Sequence, residues 1–214
     1  MGCIIGTGIF VLTGIVAATH SGPAIIISFI IAGTACAFAA LSYAELSSSI
    51  GGCGSAYGYS YVAFGELFAW IIGWILLLEY GVAIAAVASG WSGYFNNALV
   101  AINIGLPEYL INPPSAGGVI NLPASIIIIL IMMLLNAGVK ESVKLNTIMV
   151  FIKISAILIF IFIALFNINP TNWTPFMPFG WFDRLPDGET IGIFAGASIV
   201  FFAYVGFDAV STAA

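Results

Sequence analysis

The chain has 214 residues, of which 62% are hydrophobic and only 6% charged, with a mean hydropathy of +1.16. Soluble domains carry about 25% charged residues, so the composition excludes a soluble globule and predicts an all-α membrane protein with the lipid bilayer as its solvent. Four Lys and Arg against nine Asp and Glu, scattered over separate loops, make no basic patch and exclude nucleic acid as a partner.

A hydrocarbon core of ~30 Å takes roughly 20 apolar residues as helix. Six segments read this way, the first and last incomplete. The first runs from Met1 to about Ala18 and turns at His20-Ser21-Gly22-Pro23. The second covers about Ala24 to Ala44, ending at Glu45. "SSSIGGCGSAYGYSYVAF" is too polar to span. A third helix is expected over Glu66 to Tyr94, long enough to cross with tilt. The stretch from Asn96 to Asn121, with Pro107, Pro113, Pro114 and Gly117-Gly118, reads as a loop. A fourth helix covers Leu122 to Gly138. The "VKESVK" connection leads to a fifth, Leu145 to Phe166, and a Pro- and Trp-rich interfacial loop leads to a sixth from Thr190.

No basic region precedes the first apolar run, so it is expected to be a transmembrane helix rather than a cleaved leader. That run starts at Met1 and the last apolar run stops at Ala214, which reads as a piece of a longer protein. Cys3, Cys36 and Cys53 are odd in number and form no C-x-x-C, so reduced thiols are expected, without disulfide or metal site. Lys140 and Lys144 place the connection between helices four and five on the cytoplasmic side. The acidic loop bearing Asp183, Asp187 and Glu189 then falls outside. The Ile-rich composition points to an AT-rich bacterial genome, and so to an inner membrane.

Two interruptions stand out. Gly6-Thr7-Gly8 lies in the first apolar run, and "FFAYVGFDAVS", with Gly206 and Asp208, lies in the sixth. Glycine disfavours helix by about 1 kcal/mol relative to alanine. A broken helix in hydrocarbon leaves N–H and C=O groups that only a cavity or ligand can satisfy. Matching breaks in two halves are the mark of broken-helix transporters, whose freed groups bind substrate. The competing reading is close packing, since Gly2-x-x-x-Gly6 and Gly192-x-x-x-Gly196 are small-residue faces.

Three ionisable residues lie within the apolar runs. Lys153, about eight residues into the fifth helix, sits roughly 12 Å deep, where a lysine costs at least about 2.5–3.5 kcal/mol. Snorkelling and an ion-paired or functional role are its two readings. Glu79 lies roughly 20 Å along the helix from Glu66 and either pairs with Lys153 or faces a polar crevice. Asp208 either caps the half-helix after the break or takes part in proton coupling.

"GCIIGTGIFVLTG" followed by "GPA", then "SYAELSSSIGGCGSAYGYSY", "GWILLLEY" and "FFAYVGFDAVSTAA", resemble the amino-acid permeases of the amino acid–polyamine–organocation superfamily. The cationic-amino-acid-transporter-like branch is the nearest pattern, and the resemblance covers essentially the whole chain. It implies a LeuT-type fold, with residues 1–214 a partial permease transmembrane domain holding the first five-helix repeat and the start of helix six. It implies that Gly6, Thr7 and Gly8 offer N–H groups to a substrate α-carboxylate. The carbonyls of Ile4, Phe202, Ala203 and Val205 would receive the α-amino group, with Phe202 as an aromatic gate. Lys153 would stand where sodium sits in sodium-coupled relatives, so that H⁺ is the coupling ion and no other cofactor is needed. Glu79 would lie near the transport core, and Ser48 to Tyr61 would form a cytoplasmic re-entrant loop.

The expected function is therefore secondary active amino-acid transport coupled to H⁺, with Lys153, Glu79 and Asp208 as the proton-coupling candidates. A non-transporting fragment of a permease gene is the alternative. A membrane-embedded enzyme is less favoured, because no HExxH, GxSxG or paired intramembrane Asp occurs, and a channel is the weakest reading.

Overall fold

The computed structural model describes residues 4–51, 54–137, 139–186 and 188–208. Cys3, Cys53, Gly138, Asp187 and the final "STAA" lie outside the described residues; Cys36 is a buried free thiol. Two compact units are present, one formed by residues 1–76 and 152–214, the other by residues 77–151.

In the first unit, helical structure begins at Gly8. π-Helical Gly8–Leu12 and Ala17–Ser21 flank a short α-helix, α1 (Thr13–Val16). Threonine hydroxyls compete for the backbone acceptors here: Thr13 Oγ1 donates to the Ile9 carbonyl at 2.7 Å and Thr19 Oγ1 to that of Ile15 at 2.8 Å. The expected turn falls at Gly22, whose φ of 60° and ψ of −149° redirect the chain with little interruption of helical winding. A 3₁₀ turn, Gly22–Ala24, leads into α2 (Ile25–Ile50).

Helix α2 runs past Ala44 and Glu45 to Ile50, correcting the expected end. Ser48 and Ser49 hydroxyls both donate to the Glu45 carbonyl, at 2.8 and 2.9 Å. Serines that satisfy themselves on the preceding turn do not stop a helix; Gly51, at φ 68°, does. The polar stretch that follows is itself helical, as α3 (Ser55–Phe64). Gly65, at φ 86°, separates it from α4 (Glu66–Ala101), which extends seven residues beyond Tyr94 because no Pro or Gly intervenes before Gly105.

In the second unit, Asn121 caps α5 (Leu122–Ala137): its Oδ1 accepts the Ala124 N–H at 3.1 Å and its Nδ2 donates to Ser92 Oγ at 2.7 Å. The "VKESVK" connection is not a loop. It opens α6 (Val139–Leu165), since Lys and Glu are good helix formers and polarity alone breaks nothing.

The sixth segment also departs from expectation. The helix expected near Thr190 begins three residues on, at Ile193. β1 (Asp183–Arg184) and β2 (Thr190–Ile191) pair antiparallel, Asp183 opposite Ile191 and Arg184 opposite Thr190, in an otherwise mostly helical chain. Gly188, at φ 91°, allows the tight return, and Gly192, at φ 106°, releases the chain into α7 (Ile193–Val200). The N-terminal donors of α7 are taken by distant carbonyls: Gly192 N–H by His20 (2.9 Å), Ile193 N–H by Gly180 (3.1 Å), Phe194 N–H by Trp181 (3.3 Å).

α7 packs on α2 and on the first broken segment. Val16, Ala32 and Val200 form the core, with Ile25, Phe29, Ile199 and Tyr204 around them. Buried Ser28 donates to the Ile193 carbonyl at 2.8 Å and lies 3.0 Å from Ser21 Oγ. Ser28→Ala should lower stability by about 0.5–1.5 kcal/mol, read as the midpoint of thermal unfolding in detergent; an unchanged midpoint would deny this bond any weight.

Among the described residues, three helical runs are long and apolar enough to cross a membrane: Gly8–Ile50, Glu66–Ala101 and Val143–Leu165. Leu122–Asn136 and Ile193–Tyr204 are shorter apolar helices.

Candidate functional site

The first break is a helix start. Ile4, Ile5 and Gly6 are non-helical, and the Gly6 carbonyl accepts the N–H groups of Ile9 (3.1 Å) and Phe10 (3.2 Å). Thr7 stands at the N-cap and makes no side-chain cap. The first N–H groups of a helix have no intrahelical acceptor and carry partial positive charge, an arrangement suited to a carboxylate.

The second break is a helix end. After α7, Phe201–Tyr204 tightens into a 3₁₀ turn, Val205 is extended at ψ 134°, and Gly206 takes φ 102° before Phe207 and Asp208 turn helical again. The Phe202 carbonyl accepts the Val205 N–H at 3.3 Å, leaving its second lone pair for another donor. Phe202 and Val205 are half-buried, and Ala203 is buried.

The two breaks meet. Gly8 is buried against Ala203; a Cβ built on Gly8 would fall 2.6 Å from the Ala203 Cβ and 2.9 Å from its nitrogen. Only a glycine at position 8 permits this approach. Gly6 and Thr7 on one side, and Phe202 and Val205 on the other, are thus brought to one place by their neighbours in the chain. Ile4 is half-buried at the start of the first segment.

The ionisable candidates lie on three elements. Asp208 is buried, two residues beyond Gly206. Lys153 is half-buried in α6, about 21 Å from Val139 and 18 Å from Leu165 along the axis, near mid-helix. Glu79 is exposed on α4, in the second unit. At the far end of α7, His20 Nε2 lies 3.4 Å from Glu189 Oε1, a half-exposed pair of small energetic weight.

A groove of about 560 Å³ runs along α2, lined among others by Ile30, Gly33, Ala37, Phe38 and Tyr204. It is apolar, and none of the residues expected to bind substrate lines it.

Sequence reasoning missed Ser21, Ser28 and Tyr204. The two serines lie on either side of the Gly22 turn, in different elements, so no helical spacing links them in the sequence. The Gly192-x-x-x-Gly196 packing face is the surface they meet. A Cβ on Gly196 would collide with Ser21 Oγ and lie 2.9 Å from Ser28 Oγ.

Long apolar helices, with a helix start at Gly8 seated against a helix end at Ala203, mark an integral membrane protein. The chain belongs to the amino acid permease family, which it matches over residues 1–214. Over its whole length it is 54% identical to the methylthioribose transporter of Bacillus subtilis (strain 168) and 50% identical to the branched-chain amino acid permease BcaP of the same organism, covering 45% of each. It is 36% identical to the vacuolar cationic amino acid transporter 4 of Arabidopsis thaliana, covering 35% of that protein. The chain therefore spans less than half the length of these relatives. They are permeases and transporters, not enzymes.

Proposed function

We propose that this chain carries the substrate-binding elements of a LeuT-type secondary transporter, moving amino acids across the membrane with H⁺ as coupling ion. The contact of Gly8 with Ala203 carries this reading. It sets a helix start, rich in N–H donors, beside a helix end, rich in carbonyl acceptors. A zwitterion answers both at once: its carboxylate goes to the N–H groups of Gly6, Thr7 and Gly8, and its ammonium to the carbonyls of Ile4, Phe202, Ala203 and Val205. Phe202 covers the bound substrate. The relatives named for branched-chain and cationic amino acids support this class of substrate.

Lys153 supplies a cationic group near mid-helix, with Glu79 and Asp208 as further proton-coupling residues. The test is uptake of a radiolabelled panel by proteoliposomes of the complete gene product, with and without an inward proton gradient. Amino-acid uptake driven by the gradient is expected. Uptake of no amino acid in the panel overturns the reading. Lys153→Ala should remove most of the acceleration by the gradient while leaving exchange of bound substrate; an unaltered response to pH would strip Lys153 of its role.

The 54% identity to a methylthioribose transporter favours a second reading, in which the same backbone groups meet the hydroxyls of a thio-sugar. Methylthioribose belongs in the panel, and its uptake in place of amino acids would select that reading.

A further inference from the structure

We propose that Tyr204 is a positioning residue, holding the carbonyl-bearing break in register through a hydrogen bond to α2 seated on Gly33; this rests on the transport reading above. The segment in question has few constraints of its own. Past Val200 the α-helix is lost, and Val205 and Gly206 leave helical geometry altogether. The directions of the Phe202, Ala203 and Val205 carbonyls therefore need an external support.

Tyr204 supplies one. Its backbone stands between Ala203 and Val205, while its side chain reaches across to α2. The hydroxyl donates to the Phe29 carbonyl at 3.0 Å, a contact between residues 175 apart. The ring packs edge-on to Phe29, centroids 6.3 Å apart at 60°. Gly33, one turn further along α2, makes the room: a Cβ there would come 2.8 Å from the Tyr204 hydroxyl oxygen and 3.2 Å from Cζ. Phe29 O is also the acceptor that α-helical winding assigns to Gly33 N–H, so the tyrosine uses its second lone pair. The break is thus pinned on one side by Gly8 against Ala203 and on the other by Tyr204 against α2. Between them these contacts fix where the acceptors point, with no contact from Tyr204 to substrate required.

Tyr204→Phe is the discriminating variant, because it removes one oxygen and keeps the ring. In proteoliposomes of the complete gene product, KM for the transported amino acid should rise about two- to tenfold, with Vmax and membrane abundance kept. Amide hydrogen exchange over residues 201–207 should quicken, while exchange in α6 stays the same. Gly33→Ala should act in the same direction. Combined with Tyr204→Phe it should add less than it does alone, since the nearest atom it displaces is gone and only the ring edge, with Cζ at 3.2 Å, remains. A wild-type KM in Tyr204→Phe overturns the proposal, as do strictly additive effects of the two substitutions. If the wild-type protein takes up no substrate, the transport reading falls. Exchange then decides the positioning role: unchanged rates over 201–207 reject it, and faster rates with non-additive coupling to Gly33 sustain it.

Discussion

Gly8→Ala should weaken substrate binding severalfold to about a hundredfold in a protein that still reaches the membrane. The added methyl meets the Ala203 Cβ at 2.6 Å and its backbone nitrogen at 2.9 Å. No rotamer change relieves a clash with backbone, so one break must move away from the other. Overpacking of this kind costs about 1–3 kcal/mol. Charged to the geometry of the site, that is roughly a five- to 150-fold loss of affinity, and Gly8→Val should exceed it. Gly14→Ala is the control, for an added Cβ there meets nothing within 4 Å. Substrate-induced stabilisation in a thermal-shift measurement is the readout. A full ligand shift in Gly8→Ala would refute the backbone site, and an equal loss in Gly14→Ala would assign the effect to helix one in general.

Gly196→Ala should be strongly destabilising to the packing of α7 on α2. Its Cβ would occupy the place of Ser21 Oγ and crowd Ser28 Oγ at 2.9 Å, so it breaks the serine pair as well as overpacking the interface. About 2–4 kcal/mol is expected from the two contributions together. Ser21→Ala in the same protein removes the colliding oxygen and leaves a Cβ at 3.2 Å, and should restore more than half of the loss. Unfolding midpoints of both single variants and the double variant close the cycle. Stabilities that simply add would mean that positions 21 and 196 do not share one space.

These two glycines illustrate different degrees of legibility. Gly8 is visible in the sequence as part of an interruption, because Gly-Thr-Gly inside an apolar run is anomalous whatever surrounds it. Gly196 is visible only as half of a small-residue pair, and its partners Ser21 and Ser28 are ordinary residues until the helices dock. Helix ends were misread for a related reason. Ser48, Ser49 and the residues of "VKESVK" look like connections by polarity, but serine hydroxyls can bond the preceding turn, and lysine and glutamate favour helix. The strand pairing at Thr190–Ile191 was hidden because two-residue strands carry no periodicity. Tyr204 read as one aromatic among several in "FFAYVGFD"; nothing local points it at Phe29.

By itself the sequence determined that the chain suits a bilayer, roughly where its apolar segments fall, and that glycines mark the start of the first and the end of the sixth. Composition, run length and glycine conformational freedom act within a few residues of each other, so they are written in the local order of the chain. The tertiary structure alone decided that Gly8 lies on Ala203, that Ser28 bonds the Ile193 carbonyl and that Tyr204 is anchored on α2. Each joins residues more than 160 positions apart, and such pairings follow from the fit of whole helix faces, which no local pattern specifies.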